Sequence, residues 1–264
     1  MKLSVNEFEV YLATGGQCFN SELPTVLFLH GSGLDNQSWH AQAHWFANSG
    51  FSVLVPDFPG HSRSKGNACQ SIQESAQWLA DVLRGLRVSE AHVIGHSQGF
   101  LSALELAILR PNMVKSLVGV ASAAHIAVNP MLIESASTSK HKAVELMLRW
   151  GFGKQMQIES NQMLARPIIE AGREIMINNP LEADLNCCAN YSTGLEVAAK
   201  IQCPAAMILA EQDKMTPLAA GLAVAGILNA QVRVLKNVGH MLPLEAPQQV
   251  LAELKKSFID LGEG

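Results

Sequence analysis

The sequence has little charge and no concentration of charge of either sign. Only 16% of its 264 residues are charged, and the formal net charge of −4 comes from side chains scattered along the chain. Without a run of lysine or arginine there is no strong local field to attract a polyanion, so nucleic acid is not an expected partner. Hydrophobic residues make up 48% of the chain, enough for one domain built around a buried sheet.

Long hydrophobic runs are also missing. Nowhere do about 18 consecutive residues lack a polar group, as a membrane-spanning helix would require. The first residues include Glu7 and Glu9, where a signal peptide would need an uninterrupted apolar segment. We therefore expect a soluble cytoplasmic protein that does not engage a membrane.

The cysteines and histidines form no redox or metal-binding pattern. The five cysteines have no CxxC spacing, and the adjacent pair Cys187 and Cys188 has no histidine beside it. We interpret the cysteines as reduced thiols and the adjacent pair as small, buried apolar residues. No pair of histidines spaced H-x-x-x-H encloses an acid, so no metal site is expected.

Short apolar runs alternate with longer helical patterns along most of the chain. Such alternation predicts an α/β fold with a mostly parallel sheet of about eight strands and helices on both faces. The helix after Ser71 has a capping box, since Glu74 follows three residues later. We predict an edge strand at Phe8–Ala13 and buried strands at residues 25–30, 51–55, 91–94, 114–120, 205–209 and 231–235.

The alternation stops between His125 and Lys200, where the pattern is helical throughout. We predict a helical insertion over 125–200, in a core domain formed by residues 1–124 and 201–264. Trp39 and Trp150 are candidates for pocket walls, with ordinary aromatic packing as the alternative. Five methionines of the insertion either line a pliable pocket or pack in its core: Met131, Met147, Met156, Met163 and Met176.

A candidate nucleophile lies in the segment Gly95-His96-Ser97-Gln98-Gly99, between a predicted strand and a helical run. A strand that turns abruptly into a helix holds its middle residue in a strained backbone conformation, and the flanking small residues keep the neighbouring chain clear. We therefore expect Ser97 to project from this turn as a nucleophile. The alternative is an unreactive serine that caps the helix.

Backbone N–H groups near Ser97 are candidates for an oxyanion hole. The N–H of Gln98 would lie at a helix N-terminus, where unpaired donors and the helix dipole favour negative charge. A second donor is expected from the turn after the strand at 25–30, because its glycines let the backbone approach a substrate closely. Within that turn, the N–H groups of Ser32 and Gly33 both remain candidates.

A nucleophilic serine needs a base and an acid that orients the base. His240 follows the last predicted strand and Asp213 follows the one before it. Open α/β sheets place their binding crevice beyond such strand ends, and the order Ser, Asp, His along the chain is restrictive. Glu211 and Asp57 are the competing acids, and a surface role is the alternative for His240.

Five motifs distributed over nearly the whole chain carry a family resemblance: HGSG at 30–33, DFPGHSRS at 57–64, GHSQG at 95–99, LAEQDKMTP at 209–217 and GHMLPLEAP at 239–247. With them the chain resembles the α/β-hydrolase superfamily, specifically its cap-bearing bacterial esterases, lactonases and carbon–carbon bond hydrolases. The resemblance implies an acyl-enzyme mechanism without a cofactor, and a helical cap inserted after the sixth strand. Ser62 and Ala210 stand where the family usually has glycine, so slightly altered loops are expected.

Three functions are consistent with these motifs. The first is hydrolysis of a small, largely apolar carboxylic ester, thioester or lactone. The second is cleavage of a carbon–carbon bond in a vinylogous diketone acid, which calls for an inward-facing arginine such as Arg149, Arg166 or Arg173. The third is a non-catalytic receptor on the same fold. Each implies a small-molecule ligand, and an exposed apolar stripe on the cap would favour a homodimer.

Overall fold

A single eight-stranded sheet organises the chain, whose computed structural model describes residues 1–158 and 165–260. The strands are β1 Lys2–Val5, β2 Phe8–Ala13, β3 Thr25–Leu29, β4 Ser52–Pro56, β5 Ala91–His96, β6 Val114–Val120, β7 Ala205–Ala210 and β8 Gln231–Leu235. Their order is β1-β2-β4-β3-β5-β6-β7-β8. The pairs β1–β2 and β2–β4 are antiparallel and all others are parallel, which confirms the predicted fold class.

Helices cover both faces of this sheet and fill the connection between β6 and β7. They are α1 His40–Ala47, α2 Ile72–Gly85, α3 Gln98–Leu109, α4 Pro130–Thr138, α5 Lys140–Gly151, α6 Lys154–Ile158, α7 Ala165–Asn178, α8 Leu181–Asn190, α9 Gly194–Ala198, α10 Leu218–Ile227, α11 Leu242–Glu245 and α12 Pro247–Asp260. One apolar core lies beneath α2 and α3, and a second lies beneath α1 and α12. The helices α4–α9 are called the inserted helices below; residues of α4, α5, α7 and α8 form a third core together with Leu34 and Met241.

The local sequence accounts for the start of α2. Ser71 is its N-cap, and its hydroxyl oxygen accepts a hydrogen bond of 3.1 Å from the N–H of Glu74. The Glu74 carboxylate in turn accepts a hydrogen bond of 2.6 Å from the N–H of Gln70. The serine half of the predicted capping box is thus confirmed, whereas the glutamate accepts from the residue before the N-cap and not from the N–H of Ser71.

The two edges of the sheet differ from the sequence prediction. Phe8–Ala13 was predicted as an edge strand, but β1 pairs with it and takes the edge. The turn between them holds Asn6 at φ 48° and Glu7 at φ 69°; positive φ at both positions suits a two-residue hairpin, but glutamate gives no such turn signal. The sequence predicts a buried strand at 231–235, yet Val232 and Val234 of β8 are exposed. β8 is the last strand of the sheet and pairs only with β7, so it is less enclosed than the central strands.

The loop after β4 keeps a glycine-like backbone although it lacks the second glycine of the family pattern. Ser62 lies at φ 44°, in the left-handed region that costs most residues about 1–2 kcal/mol. Its N–H donates a hydrogen bond of 2.8 Å to Oδ1 of Asn179. Asp57, at the start of the loop, is buried and accepts hydrogen bonds from Asn36 and from the N–H of Arg63. The loop therefore holds its shape at the expense of backbone strain.

This strain leads to a stability prediction. Ser62→Gly is expected to raise the free energy of unfolding by about 0.5–1 kcal/mol, because glycine removes the Cβ penalty at positive φ but has more entropy to lose on folding. Urea denaturation followed by circular dichroism measures the change. As a matched control, the exposed helical Ser137 changed to glycine should lower stability by about 0.5–1 kcal/mol. A Ser62→Gly protein no more stable than the parent would contradict the strain argument.

The remaining sequence expectations concern thiols, metals and membranes. All five cysteines have free thiols, and Cys187 and Cys188 are buried, as predicted. Within residues 1–158 and 165–260, no three histidine, cysteine or acidic side chains come together as a metal site. No helix in that part of the chain has the length and apolar character needed to cross a bilayer.

Candidate active site

The turn between β5 and α3 holds Ser97 in a strained conformation, with φ 52° and ψ −120°. Its flanking glycines are required by close backbone contacts. A Cβ on Gly95 would overlap the backbone of Phe100, and a Cβ on Gly99 would lie 2.5 Å from the carbonyl oxygen of Leu29. The turn therefore depends on both glycines of the G-x-S-x-G motif, as its position between strand and helix indicated.

Ser97 begins a chain of hydrogen bonds between residues far apart in sequence. Its Oγ lies 2.9 Å from Nε2 of His240, and Nδ1 of that ring lies 2.9 Å from Oδ2 of Asp213. All three residues are at least 93% buried. Because a carboxylate only accepts, Nδ1 carries the hydrogen and Nε2 is free to accept the hydroxyl proton of Ser97. The structure thus brings together the three residues that the sequence analysis proposed as nucleophile, base and orienting acid.

The two competing acids lie elsewhere. Asp57 is held by the loop after β4, as described above. Glu211 is exposed, and its carboxylate accepts a hydrogen bond from the N–H of Asn237. Neither contacts His240.

Asp213 is fixed by four hydrogen bonds. Its Oδ1 accepts from the N–H groups of Met215 and Thr216, both at 2.8 Å, and its Oδ2 accepts from the Thr216 hydroxyl at 2.7 Å as well as from His240. Burial opposes the charge, but His240 and the hydrogen bonds from His240 and Thr216 hold the pKa of Asp213 below its ordinary value. Thr216 was not among the sequence candidates, although it lies in the same motif as Asp213.

Two further buried histidines lie beside the site but are not part of the hydrogen-bond series from Ser97 to Asp213. His96 is fully buried and donates a hydrogen bond of 2.9 Å from Nε2 to the carbonyl oxygen of His240. Burial, with a smaller effect of the neighbouring His240, lowers the pKa of His96 to about 3. His30 is also buried, and its Nδ1 donates to the carbonyl oxygen of Gly31. His96 therefore packs under the serine turn, and His30 shapes the glycine-containing turn.

The three candidate oxyanion donors differ in whether the backbone N–H group already has a hydrogen-bond partner. Gln98 is the first residue of α3, so its N–H has no partner within the helix. The N–H of Gly33 donates a hydrogen bond of 2.7 Å to Oδ2 of Asp184 in α8. Within the described part of the chain, the N–H of Ser32 makes no hydrogen bond. Between the two alternatives in the turn, Ser32 is therefore the one with a free donor.

A cavity of about 240 Å³ opens beside Ser97 and His240. Most of its lining is apolar: Leu34, Ile126, Ala127, Val128, Leu132, Met147, Trp150, Leu185, Cys188, Met215 and Met241. Trp150 is a wall, whereas Trp39 packs in the core against Phe28. Among the described residues, the exposed Lys214 is the one cationic lysine or arginine in the lining.

Of the five methionines proposed for a pocket, Met147 alone among the described ones lines this cavity. Met176 is buried in the core of the inserted helices, Met156 packs against that core and Met131 is exposed. Met163 lies outside the described residues. Met215 and Met241, which line the cavity from the loops after β7 and β8, were not among the sequence candidates.

The fold and the site together define a hydrolytic α/β enzyme with a serine, a histidine and an acid at the carboxyl ends of its strands. The model of the alpha/beta hydrolase family matches residues 26–254. The chain belongs to that family and is an enzyme of the hydrolase class.

Individual relatives are distant but cover most of the chain. The (E)-2-((N-methylformamido)methylene)succinate hydrolase of Acinetobacter baylyi is 24% identical over 95% of this chain and 94% of its own length. Carboxylesterase YbfK of Bacillus subtilis is 24% identical over 87% of this chain and 78% of its own. The solved structure of an enol-lactonase from Burkholderia xenovorans matches with a TM-score of 0.87 and 19% identity, covering 98% of this chain and all of that one; at this identity the likeness establishes the fold.

Proposed function

We propose that this enzyme is a serine hydrolase that cleaves a small, largely apolar carboxylic ester, thioester or lactone. The observation that carries the proposal is the series of hydrogen bonds from Ser97 through His240 to Asp213. Its Ser97 end opens into a cavity with a mostly apolar lining. Ser97 is the nucleophile, His240 the general base and Asp213 the residue that orients the histidine. The N–H groups of Ser32 and Gln98 are the oxyanion donors.

The reaction follows from this arrangement. As Oγ of Ser97 bonds to the substrate carbonyl carbon, its proton passes to Nε2 of His240, and the oxyanion is held by the two N–H groups. His240 then gives the proton to the leaving oxygen or sulfur as that bond breaks, which leaves an acyl-enzyme. Water, deprotonated by His240, attacks the acyl carbon, and the same histidine returns a proton to Ser97.

The inserted helices are proposed to act as a cap that selects the substrate. They supply Leu132, Met147, Trp150, Leu185 and Cys188 to the cavity lining. A volume of about 240 Å³ lies just below the range of about 300–1,000 Å³ usual for ligand pockets. The shape and apolar character of the cavity therefore favour a small substrate of low charge.

The domain boundaries expected from the sequence, a core of residues 1–124 and 201–264 with a cap over 125–200, stay predictions. The cytoplasmic location stays a prediction as well.

The carbon–carbon hydrolase alternative receives little support from the charges around the cavity. Arg149 and Arg166 are exposed, and Arg173 pairs with Glu145 and Glu170. None of these arginines lines the cavity, so the carboxylates of such a substrate would lack a bidentate partner. The receptor alternative is disfavoured by membership of a hydrolase family.

The test is a series of p-nitrophenyl esters from acetate to decanoate. We expect kcat/KM to peak at or below hexanoate and to fall at least about 10-fold by decanoate, because methylenes that do not fit each cost on the order of 1 kcal/mol or more. A p-nitrophenyl ester with a terminal carboxylate on an acyl chain of matched length should be a poorer substrate than its neutral counterpart. Absence of turnover on every ester by the folded protein would contradict the proposal.

A further inference from the structure

Asp184 is a buried acid that lies outside the Ser97–His240–Asp213 chain. It belongs to α8 of the inserted helices and is 95% buried. Its Oδ2 accepts hydrogen bonds from the N–H of Gly33 at 2.7 Å and from Nε2 of His61 at 2.9 Å. Its Oδ1 lies 3.5 Å from Nε2 of Gln98, at the limit of a hydrogen bond. One carboxylate from the insertion thus contacts three separate segments of the core.

The hydrogen-bond partners of His61 identify its protonation state. Nδ1 lies 3.0 Å from the carbonyl oxygen of Pro59 and Nε2 lies 2.9 Å from a carboxylate oxygen of Asp184. Both partners accept, so both ring nitrogens carry hydrogen and the ring is an imidazolium. Burial opposes the charge, but Asp184 raises the pKa of His61, and His61 in turn lowers the pKa of Asp184.

The neighbouring His30 is neutral, which fits a single positive charge at this position. Its ring lies 5.0 Å from that of His61. Nδ1 donates to the carbonyl oxygen of Gly31, and Nε2 accepts a hydrogen bond of 3.2 Å from the N–H of Phe58. A ring with one donor and one acceptor is uncharged, and burial lowers the pKa of His30 to about 3.

The groups that Asp184 contacts adjoin both proposed oxyanion donors. Gly33 follows Ser32 directly in the chain. The hydroxyl of Ser32 donates a hydrogen bond of 2.8 Å to Oε1 of Gln98, whose NH2 group is the one that faces Asp184. The turn that carries the first donor and the residue that carries the second are therefore linked to each other and to the same carboxylate.

We propose that Asp184, with His61 as its counter-ion, is a positioning residue that holds the turn carrying Ser32 in the geometry of a competent oxyanion hole. Because Asp184 belongs to α8, the hole is complete only while this inserted helix is docked on the core. Closure over the substrate and stabilisation of the oxyanion are thereby coupled through one side chain. This inference rests on the proposed serine hydrolase function.

Two substitutions separate the hydrogen bond from the charge. In Asp184→Asn, an amide oxygen at the position of Oδ2 can still accept from the N–H of Gly33 and from Nε2–H of His61, but the negative charge is lost and the NH2 group takes the position of Oδ1 near Gln98. Asp184→Ala removes both bonds. We expect Asp184→Ala to lower kcat for p-nitrophenyl butyrate by about 10–100-fold, less than the loss of a whole oxyanion donor, with KM changed less than about threefold, and Asp184→Asn to keep kcat within about fivefold of the parent.

Glu182→Ala is the matched control, because Glu182 is an exposed acid on the same helix. Its kcat should equal that of the parent. The second-order rate of labelling by a fluorophosphonate, whose phosphoryl oxygen occupies the oxyanion hole, should fall in Asp184→Ala in the same proportion as kcat. A merely structural role would lower the melting temperature of Asp184→Ala but leave kcat and the labelling rate unchanged, and that result would overturn the proposal.

If Asp184→Ala does not fold, Asp184→Glu replaces it, since glutamate keeps the charge but displaces the oxygen by one methylene. The proposal then expects Asp184→Asn to be the more active of the two, and the reverse order would overturn it. Failure of the proposed function has a different outcome, namely a parent enzyme that neither turns over esters nor reacts with the fluorophosphonate.

Discussion

Ser97→Ala is expected to abolish ester hydrolysis to within the background, a loss of roughly 10⁵-fold in kcat. Alanine keeps the small side chain that the strained turn accommodates, but it removes the hydroxyl oxygen that we propose as the attacking atom. His240 then has no proton to accept from a nucleophile, and its hydrogen bond to Asp213 has no catalytic consequence. Steady-state hydrolysis of p-nitrophenyl butyrate measures the loss, with circular dichroism to verify the fold.

The chain offers a matched control for this substitution. Ser116 is a buried serine whose Oγ lies 2.8 Å from Nδ1 of His92. This second serine–histidine contact pairs early residues of β5 and β6, at the opposite end of the strands from Ser97. Ser116→Ala should therefore turn over the ester like the parent. Substantial turnover by Ser97→Ala, or fluorophosphonate labelling at another residue, would refute the assignment of the nucleophile.

The parts of the site that sequence predicts well are those encoded by local patterns. Ser97, Asp213 and His240 each directly follow a strand or lie in the loop just beyond one, and strand runs are recognisable from apolar residues alone. Parallel strands bring their carboxyl ends to one edge of the sheet, so three distant segments meet without any further information. Local pattern and topology together were sufficient to predict that these three residues meet, and their catalytic roles stay proposals.

Asp184 could not be found in this way, because its partners depend on how α8 docks. Gly33 and His61 lie more than 100 residues earlier in the chain. One signal was nevertheless present in the helix. Leu181, Leu185 and Cys188 form an apolar stripe at helical spacing, and Asp184 lies on the same buried face. An acid on an apolar stripe must find a partner when buried, and this pattern distinguishes it from the exposed Glu182.

The second large effect is expected at Asp213, where the choice of substitution decides its size. Oδ1 of Asp213 accepts from the N–H groups of Met215 and Thr216, while Oδ2 accepts from His240 and from the Thr216 hydroxyl. An asparagine must keep its carbonyl oxygen toward the two N–H groups, since an NH2 group cannot accept them. Its NH2 group is therefore forced to face Nδ1 of His240.

This orientation places the hydrogen of His240 on the wrong nitrogen. Opposite an NH2 group, Nδ1 must accept, so the hydrogen moves to Nε2 and Ser97 loses its base. Alanine imposes no such reversal, because Nδ1 can still donate to the Thr216 hydroxyl oxygen, which lies 3.2 Å away. We expect kcat/KM to fall by roughly 10⁴-fold in Asp213→Asn and by roughly 10²–10³-fold in Asp213→Ala.

Steady-state kinetics of Asp213→Asn and Asp213→Ala measure which variant loses more kcat/KM. The double variant Asp213→Ala/Thr216→Val is measured beside them. Removal of the Thr216 hydroxyl should bring the alanine variant down to the level of Asp213→Asn, while Glu211→Gln, at the exposed competing acid, should match the parent. If Asp213 acted mainly through its negative charge, asparagine and alanine would lose the same activity, since both are neutral. A greater loss of kcat/KM in Asp213→Asn than in Asp213→Ala would show that Asp213 acts by fixing which nitrogen of His240 carries the hydrogen. Equal losses would contradict that role.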